Sequence, residues 1–460
     1  MRAITPEKED PETGRWSWTV TTETNDDHET TTETYDAVMI CTGHHSMPNI
    51  PEFEGAADFA GDMLHSHEYK DNARFAGKKV VTVGIGNSSS DITTEISKVA
   101  ESTHCVCRSG AWIQLNGHGD AENLAAGEQI WGDGKPFVMS RMEILRQGWS
   151  GEPSSSMEIQ SGLAANQEWV DELGLKPIMR VGQAHPTQTL NNPDNNLLKQ
   201  LKEGKITIKR GLERITEHGV VFSGSDEEVP ADSIVFCTGW IFGFEFVDKV
   251  VWPEKCGPAD EWQKDNENTL YKFMCAFQAW PSAFDPRPAP SCTVLNPLRS
   301  ASSDPTTAYN NIAWCGLCQP LHSQFLVSEI QSRHAIATFM GRLELPPLSQ
   351  QLADIQEKRE HMRVQFKDSP RHTMMVSVSV LDELGEDLGV TPTLGRLLRT
   401  GSFEKMRAAY WAPMSANHYR LVGDGAREDA AEQIWQEYTS SEYHHAKTSD
   451  RLGNEPSVRR

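Results

Sequence analysis

Lys79-Val80-Val81-Thr82-Val83-Gly84-Ile85-Gly86-Asn87-Ser88-Ser89-Ser90-Asp91 changes character twice in a short space. Val80 to Val83 is a β-branched run, which favours a buried strand. The run breaks at Gly84-x-Gly86 and resumes with Ile92, Ile96, Val99 and Ala100, which share one face of a helix. Strand, glycine turn and helix form the context that makes a glycine pattern a dinucleotide-binding candidate. Gly84 allows the tight turn, and Gly86 lets a pyrophosphate approach the backbone. The helix N-terminus supplies N–H groups and a partial positive charge. Ser89 stands where the pattern has its third glycine, and three serines place hydroxyls where phosphates would sit. A second short strand, His104-Cys105-Val106-Cys107, ends at Arg108. An acidic residue there would suit the ribose of NAD, whereas an arginine suits the 2′-phosphate of NADP. The plain alternative is an ordinary strand-to-helix turn with Arg108 at a solvated strand end.

Working outward, a chain of 460 residues is long enough for two or more domains and a large core. Its formal net charge of -22 argues against nucleic acid or an anionic membrane as the main partner. No run approaches the roughly 20 apolar residues of a membrane span. The polar, charged start at Pro6-Glu7-Lys8-Glu9-Asp10 does not read as a signal peptide. The nine cysteines are scattered, several within apolar runs, which suits reduced, buried thiols in a cytoplasmic protein.

Trp16-Ser17-Trp18-Thr19-Val20-Thr21 alternates as a strand, turns at Asn25-Asp26-Asp27 and returns through a threonine-rich segment. Two strands alone are marginal in water, so something must pack on this hairpin. Next comes Asp36-Ala37-Val38-Met39-Ile40-Cys41-Thr42-Gly43. Far downstream, Asp232-Ser233-Ile234-Val235-Phe236-Cys237-Thr238-Gly239 repeats the design. The echo implies two similar nucleotide domains, each returning a strand that ends at a glycine; two unrelated buried strands would look alike by chance. Within a polar stretch at 117–168, residues 117–162 are rich in Gly, Ser and Met and read as loops and short helices of a surface insertion, and 252–310 reads as irregular and rich in Pro, Ser, Asp and Trp. Phe325 to Phe339 reads as a helix closed by Gly341, and Ser349 as the cap of a charged helix containing Leu352 and Ile355. The tail beyond Thr439 is polar.

Phe59-x-Gly61-x-x-x-His65-x-x-x-Tyr69 is similar to the identifying motif of the flavin-containing monooxygenases. Gly84-Ile85-Gly86-Asn87-Ser88 resembles that family's NADPH loop. Cys237-Thr238-Gly239-Trp240 resembles its late ATGY motif, and Tyr419-Arg420-Leu421-Val422-Gly423 its carboxyl-terminal segment. The resemblance spans roughly residues 15 to 430. It implies an α/β fold of two dinucleotide-binding, Rossmann-like domains, the NADP domain inserted in an incomplete FAD domain. The expected parts are a remnant of the FAD domain at 1–70, the NADP domain at 71–240, a return to the FAD domain at 241–345, and a helical segment with a polar tail at 346–460. The family's first GxGxxG loop, for FAD, has no match here, and the expectation is that roughly a hundred residues carrying it are absent.

The resemblance also implies the chemistry. NADPH reduces FAD, oxygen adds at the flavin C4a, and the hydroperoxide passes one oxygen atom to a nitrogen- or sulfur-containing small molecule. Gly84, Gly86, Asn87, Ser88, Ser89, Ser90 and Asp91 would hold the NADP pyrophosphate and ribose, and Arg108 its 2′-phosphate. Cys41, Thr42, Gly43 and Gln319 would face the flavin. His65 and Tyr69 would brace the crossing between domains, or His65 would simply pack there. No catalytic residue carries over, because the family's active-site asparagine belongs to the unmatched region. A non-catalytic NADP-binding remnant is the second reading, and the third is a Baeyer–Villiger enzyme, which would end the linker motif in Trp where this chain has Tyr69. Trp314-Cys315-Gly316-Leu317-Cys318 is close to a thioredoxin sequence, but Gln319-Pro320 follows in place of a helix. His44-His45 and His444-His445 lack partners at metal-ligand spacing.

Overall fold

The computed structural model describes residues 1–12, 15–43, 45, 47–107, 112–115, 128–130, 136–138, 140–142, 188–191, 197–241, 244–248, 275–277, 308–320, 324–347, 349–351, 353–355, 357–358, 375–376, 378–412 and 414–439. Arg108, Leu352, the tail beyond Thr439, and most of 117–168 and 252–310 lie outside them. The chain divides into two compact units. One is built chiefly from Met1–His44 and Phe242–Trp435, the other chiefly from His45–Trp149 and Pro153–Ile241.

The second unit centres on a five-stranded parallel sheet. Its strands are β1 (Asp62–His65), β2 (Lys79–Val83), β3 (Ser102–Val106), β4 (Ile206–Lys209) and β5 (Ser233–Phe236), in the spatial order β4-β3-β2-β5-β1. Helix α1 (Asn87–Ser97) crosses from β2 to β3. Parallel strands of this kind are covered on both faces, which is why β2 and β5 read as continuous apolar runs. Alternate residues go to opposite sides. Val81, Val83, Ile234 and Phe236 pack with Ile215, Val220 and Phe222 of an antiparallel ribbon, Leu212–Ile215, Gly219–Phe222 and Glu228–Pro230. Val80 and Val235 pack with Ile92 and Ile96 of α1 and with Phe75. A buried hydrogen bond of 2.7 Å between the Thr82 and Thr93 hydroxyls ties β2 to α1. The strand β1 comes from the linker motif and pairs with β5, Asp62 opposite Ser233.

The first unit opens with three antiparallel strands, Ala3–Asp10, Arg15–Glu23 and Thr30–Tyr35. What packs on this hairpin comes from far along the chain. Ile4 and Trp18 are buried with Ile40, Phe244, Val247, Ile312, Trp314 and Leu317. Val38–Ile40 pairs in parallel with Ala308–Trp314. The buried Asn311 side chain bonds the Trp16 and Asp36 carbonyls, joining the hairpin to that sheet. The helices Gln324–Phe339 and Val378–Asp387 bury Leu326, Ile330, Leu381 and Leu384 with Tyr419. Gly341, at φ +67°, follows the first of these helices, as its sequence predicts. Thr393 and Ser402 cap the next two helices, Leu394–Thr400 and Phe403–Trp411. Among the described residues no helix is long and apolar enough to cross a membrane, and no group of His, Cys, Asp or Glu is placed to hold a metal ion.

Candidate cofactor-binding site

At the end of β2 the chain turns at Gly84, whose φ of +117° is one that side chains resist. Its N–H continues the ladder to the Val106 carbonyl at 2.9 Å. Its own carbonyl accepts the Ser89 hydroxyl at 2.7 Å and the Cys105 thiol at 3.4 Å. A Cβ on Gly84 would overlap the carbonyl oxygen of Cys237, at the end of β5. Glycine is therefore required twice, by dihedral angle and by space.

Gly86 differs. It is the N-cap of α1 with an ordinary φ of -76°, makes no side-chain cap, and a Cβ there would meet nothing within 4 Å. Among the described residues nothing demands glycine at this position. A ligand pressed against the backbone would, because a methyl group would fill the space that the ligand needs. Gly86, Asn87 and Ser88 are exposed at the start of the helix, and the first turn carries no acidic residue. This is the positive end of an 11-residue helix, presented to solvent behind an open glycine. The arrangement fits the pyrophosphate of a dinucleotide.

The serines divide. Ser88 is exposed, while Ser89 and Ser90 are buried. The Ser89 hydroxyl lies 3.2 Å from that of Thr93 and is spent inside the turn, so its contribution is to stiffen the loop. The signal was in the helix period: Ser89 shares a face with Ile92, Thr93 and Ile96, which are buried. Asp91 is exposed one turn into α1, where partial desolvation and then the neighbouring Glu95 raise its carboxyl above the usual value. Behind the turn lie the buried thiols of Cys105 and Cys237, both pushed up by burial. Sequence reasoning left these two out of the site, although the Cys237-Thr238-Gly239 strand end was in view.

His65 closes the far edge of the same sheet. It is fully buried. Its Nδ1 accepts the His67 N–H at 3.2 Å, so its Nε2 carries the proton and donates to the Gly239 carbonyl at 2.9 Å. Burial lowers its pKa, outweighing the Gly239 bond. Trp240 lies edge-on to His65 and His67, each ring centroid 5.1 Å away. The Thr238 hydroxyl donates to the Asn49 carbonyl, and the Asn49 N–H to Gly239 at 3.0 Å. These bonds lock together the two segments by which the chain enters and leaves the unit, Met47–Pro48 and Trp240–Ile241. Tyr69 packs on Phe75, its hydroxyl pushed up to about 12 by burial.

The remaining expected residues belong to the first unit. Cys41 and Thr42 are exposed just past Val38–Ile40, and Gly43 follows at φ +68° with open space at its Cβ position. Gln319 begins the two-residue strand Gln319–Pro320, which pairs with Met375–Val376. The structure thus brings together Gly84, Gly86 and Asn87 to Asp91 in one unit and puts Cys41, Thr42, Gly43 and Gln319 in the other. Among the described residues of the first unit, no glycine turn opens onto a helix N-terminus as Gly84 and Gly86 do.

The model of the flavin-binding monooxygenase-like family matches residues 2–272 and 304–449. The chain belongs to that family, whose cofactors are FAD and NADPH. Flavin-containing monooxygenase 5 of Cavia porcellus is 29% identical over 429 residues, which cover 92% of this chain and 69% of that protein. Dimethylaniline monooxygenase (N-oxide-forming) 2 of Mus musculus is 32% identical, covering 91% and 68%. The chain therefore spans about two thirds of the length of these relatives. Among solved structures, cyclohexanone monooxygenase from Rhodococcus sp. Phi1, in a crystal bound to NADP+, superposes with a TM-score of 0.52 at 13% identity, covering 85% of this chain and 77% of that one. That likeness supports the α/β architecture with a parallel sheet.

Proposed function

We propose that this chain binds NADPH at residues 84–91 and takes part in flavin-dependent transfer of one oxygen atom from O2 to the nitrogen or sulfur of a small molecule. The reading rests on the family and on one observation above all: an open glycine at an uncapped helix N-terminus, held rigid by a glycine that only this turn requires. When bound, the flavin supplies the redox and oxygen-activating chemistry, with NADPH as its reductant. The chain's own residues bind and orient. The backbone of Gly86, Asn87 and Ser88 would hold the pyrophosphate, with the Asn87, Ser88 and Asp91 side chains toward the ribose. Ser89 keeps the turn in shape from within, Ser90 is buried in the first turn of the helix, and Arg108 would take the 2′-phosphate. Cys41, Thr42, Gly43 and Gln319 are assigned to the flavin side. Its free cysteines suit a reducing compartment, and we assign the protein to the cytoplasm.

Titration of the purified chain with NADPH and with NADH tests this. Saturable binding that prefers NADPH is expected, and a flat titration would overturn the site. Flavin absorbance in the same preparation separates a monooxygenase from a protein that binds NADP alone. Products from a tertiary amine, a sulfide and a cyclic ketone separate N- or S-oxygenation from Baeyer–Villiger chemistry.

A further inference from the structure

Three cysteines of the first unit converge where Val38–Ile40 and Ala308–Trp314 run out. The strands are parallel with Ile40 opposite Trp314, and the Cys315 N–H extends the ladder to the Ile40 carbonyl at 2.9 Å. Continued one residue past the paired strands, that register sets Cys41 beside Cys315. Neighbouring strands lie about 4.8 Å apart. That spacing falls within the Cα separation of about 4.4–6.8 Å that a disulfide spans.

Their surroundings differ. Cys41 is exposed, while Cys315 and Cys318 are buried. Burial pushes the Cys315 thiol up to about 12, against a hydrogen bond from Ser332 and with a further push from Cys41. Burial, and then Cys315, push Cys318 up to about 12 as well. Gly316 turns the chain between them at φ +75°, its N–H bound to the Gln331 side chain at 2.9 Å. Neither member of the Cys-x-x-Cys sequence meets solvent first; Cys41 does.

We propose that Cys41 and Cys315 form an oxidation-sensitive dithiol that a hydroperoxide closes to a disulfide. With hydrogen peroxide, the Cys41 sulfur attacks one peroxide oxygen, the O–O bond breaks and water leaves. Cys41, oxidised by two electrons, becomes a sulfenic acid. The Cys315 sulfur then attacks the Cys41 sulfur. The S–S bond forms, the S–O bond breaks, and the departing hydroxide takes the Cys315 proton as a second water. Overall the two thiols give up two electrons and two protons, and one peroxide becomes two waters. The bond would fix the Cys41-Thr42-Gly43 turn to the strand beside it. The pair stands on strand register and on the exposure of Cys41; a flavin held beside Cys41 would slow its oxidation without changing its partner.

The test is to treat the purified chain with hydrogen peroxide, alkylate the remaining thiols, digest, and map cross-links by mass spectrometry. A peptide joining Cys41 to Cys315, lost on reduction with dithiothreitol, is expected. In Cys41→Ser, loss of the Cys315 thiol should slow on the order of tenfold or more. In Cys315→Ala, dimedone should trap a sulfenic acid at Cys41. Cys315 is buried, so the wild-type map, which needs no variant, decides. Alkylation of both cysteines after peroxide, pairing of Cys41 with another cysteine, or Cys41 driven to the sulfinic acid beside a free Cys315 would each overturn the proposal.

Discussion

Residues 36–43 and 232–239 both run from an aspartate through an apolar strand into Cys-Thr-Gly. In the second unit that strand, β5, lies between two parallel neighbours. There Cys237 is buried, Thr238 donates to Asn49, and the Gly239 carbonyl takes bonds from Asn49 and His65. In the first unit, among the described residues, the strand is the edge of a three-stranded sheet, its Cys41 and Thr42 exposed and Gly43 facing open space. The two segments specify the same local shape. Their chemistry is set by how many strands flank them, and those strands come from elsewhere in the chain. One Cys-Thr-Gly end is a back wall for the glycine turn; the other is a surface open to reagents.

The contrast can be tested from its largest expected consequence downward. Under native conditions a disulfide reagent should modify Cys41 at least about a thousandfold faster than Cys237, because reaching Cys237 requires opening of a core strand. Site-resolved labelling read by mass spectrometry measures this, and comparable rates would remove the distinction. Next, Gly84→Ala should cost about 3 kcal/mol or more, since strain at positive φ adds to overlap with the Cys237 carbonyl. Gly43→Ala carries the dihedral strain alone, about 1–2 kcal/mol. Denaturant titration of both variants compares them, and only Gly84→Ala should also abolish NADPH binding. Third, Thr238→Val should lose about 1 kcal/mol with its bond to Asn49, whereas Thr42→Val should stay within about 0.5 kcal/mol.

The smallest effect concerns the start of β1. Lys78 Nζ lies 2.9 Å from the Asp62 carboxylate and, through that hydrogen bond first, holds its pKa below the ordinary 3.8. A depressed carboxylate stabilises the fold above its unfolded pKa, and that contribution is lost as pH falls through the folded value. Both side chains are a third or more exposed, so screening limits the pair to within about 1 kcal/mol. Lys78→Met should therefore be slightly less stable than the wild type near neutrality. The gap should close as pH is lowered below about 4. A gap that persists in acid would show that packing of the lysine stem, not the ion pair, is at work.

The sheet of the second unit was largely legible because strands buried on both faces must be apolar throughout, and the glycines of the turn stand where such a run stops. The helix of residues 324–339 was legible with its closing glycine for a similar reason, in that local chemistry and the fold agree. Less visible was β1, four residues within a segment read as a linker, too short for a period to register. The inward rotation of Ser89 was present in the helix spacing but was masked by three serines in a row. The opposite fates of Cys41 and Cys237 were not readable at all. They depend on Lys79–Val83, Asp62–His65 and Ala308–Trp314 finding their places, and pairing over such distances leaves no mark on the paired residues. The hairpin at the start posed the same difficulty, since Trp18 is buried against Trp314 and Phe244.

The Gly84 carbonyl, with a hydroxyl on one side and a thiol on the other, has a consequence for thermodynamics. Glycine is the residue with most freedom to lose, yet here the peptide plane is clamped during folding. A nucleotide arriving at this turn would find residues 84–89 already set. Calorimetry of such an encounter would then report chiefly the water released from the ligand, and the heat capacity change would track the ligand's own buried surface.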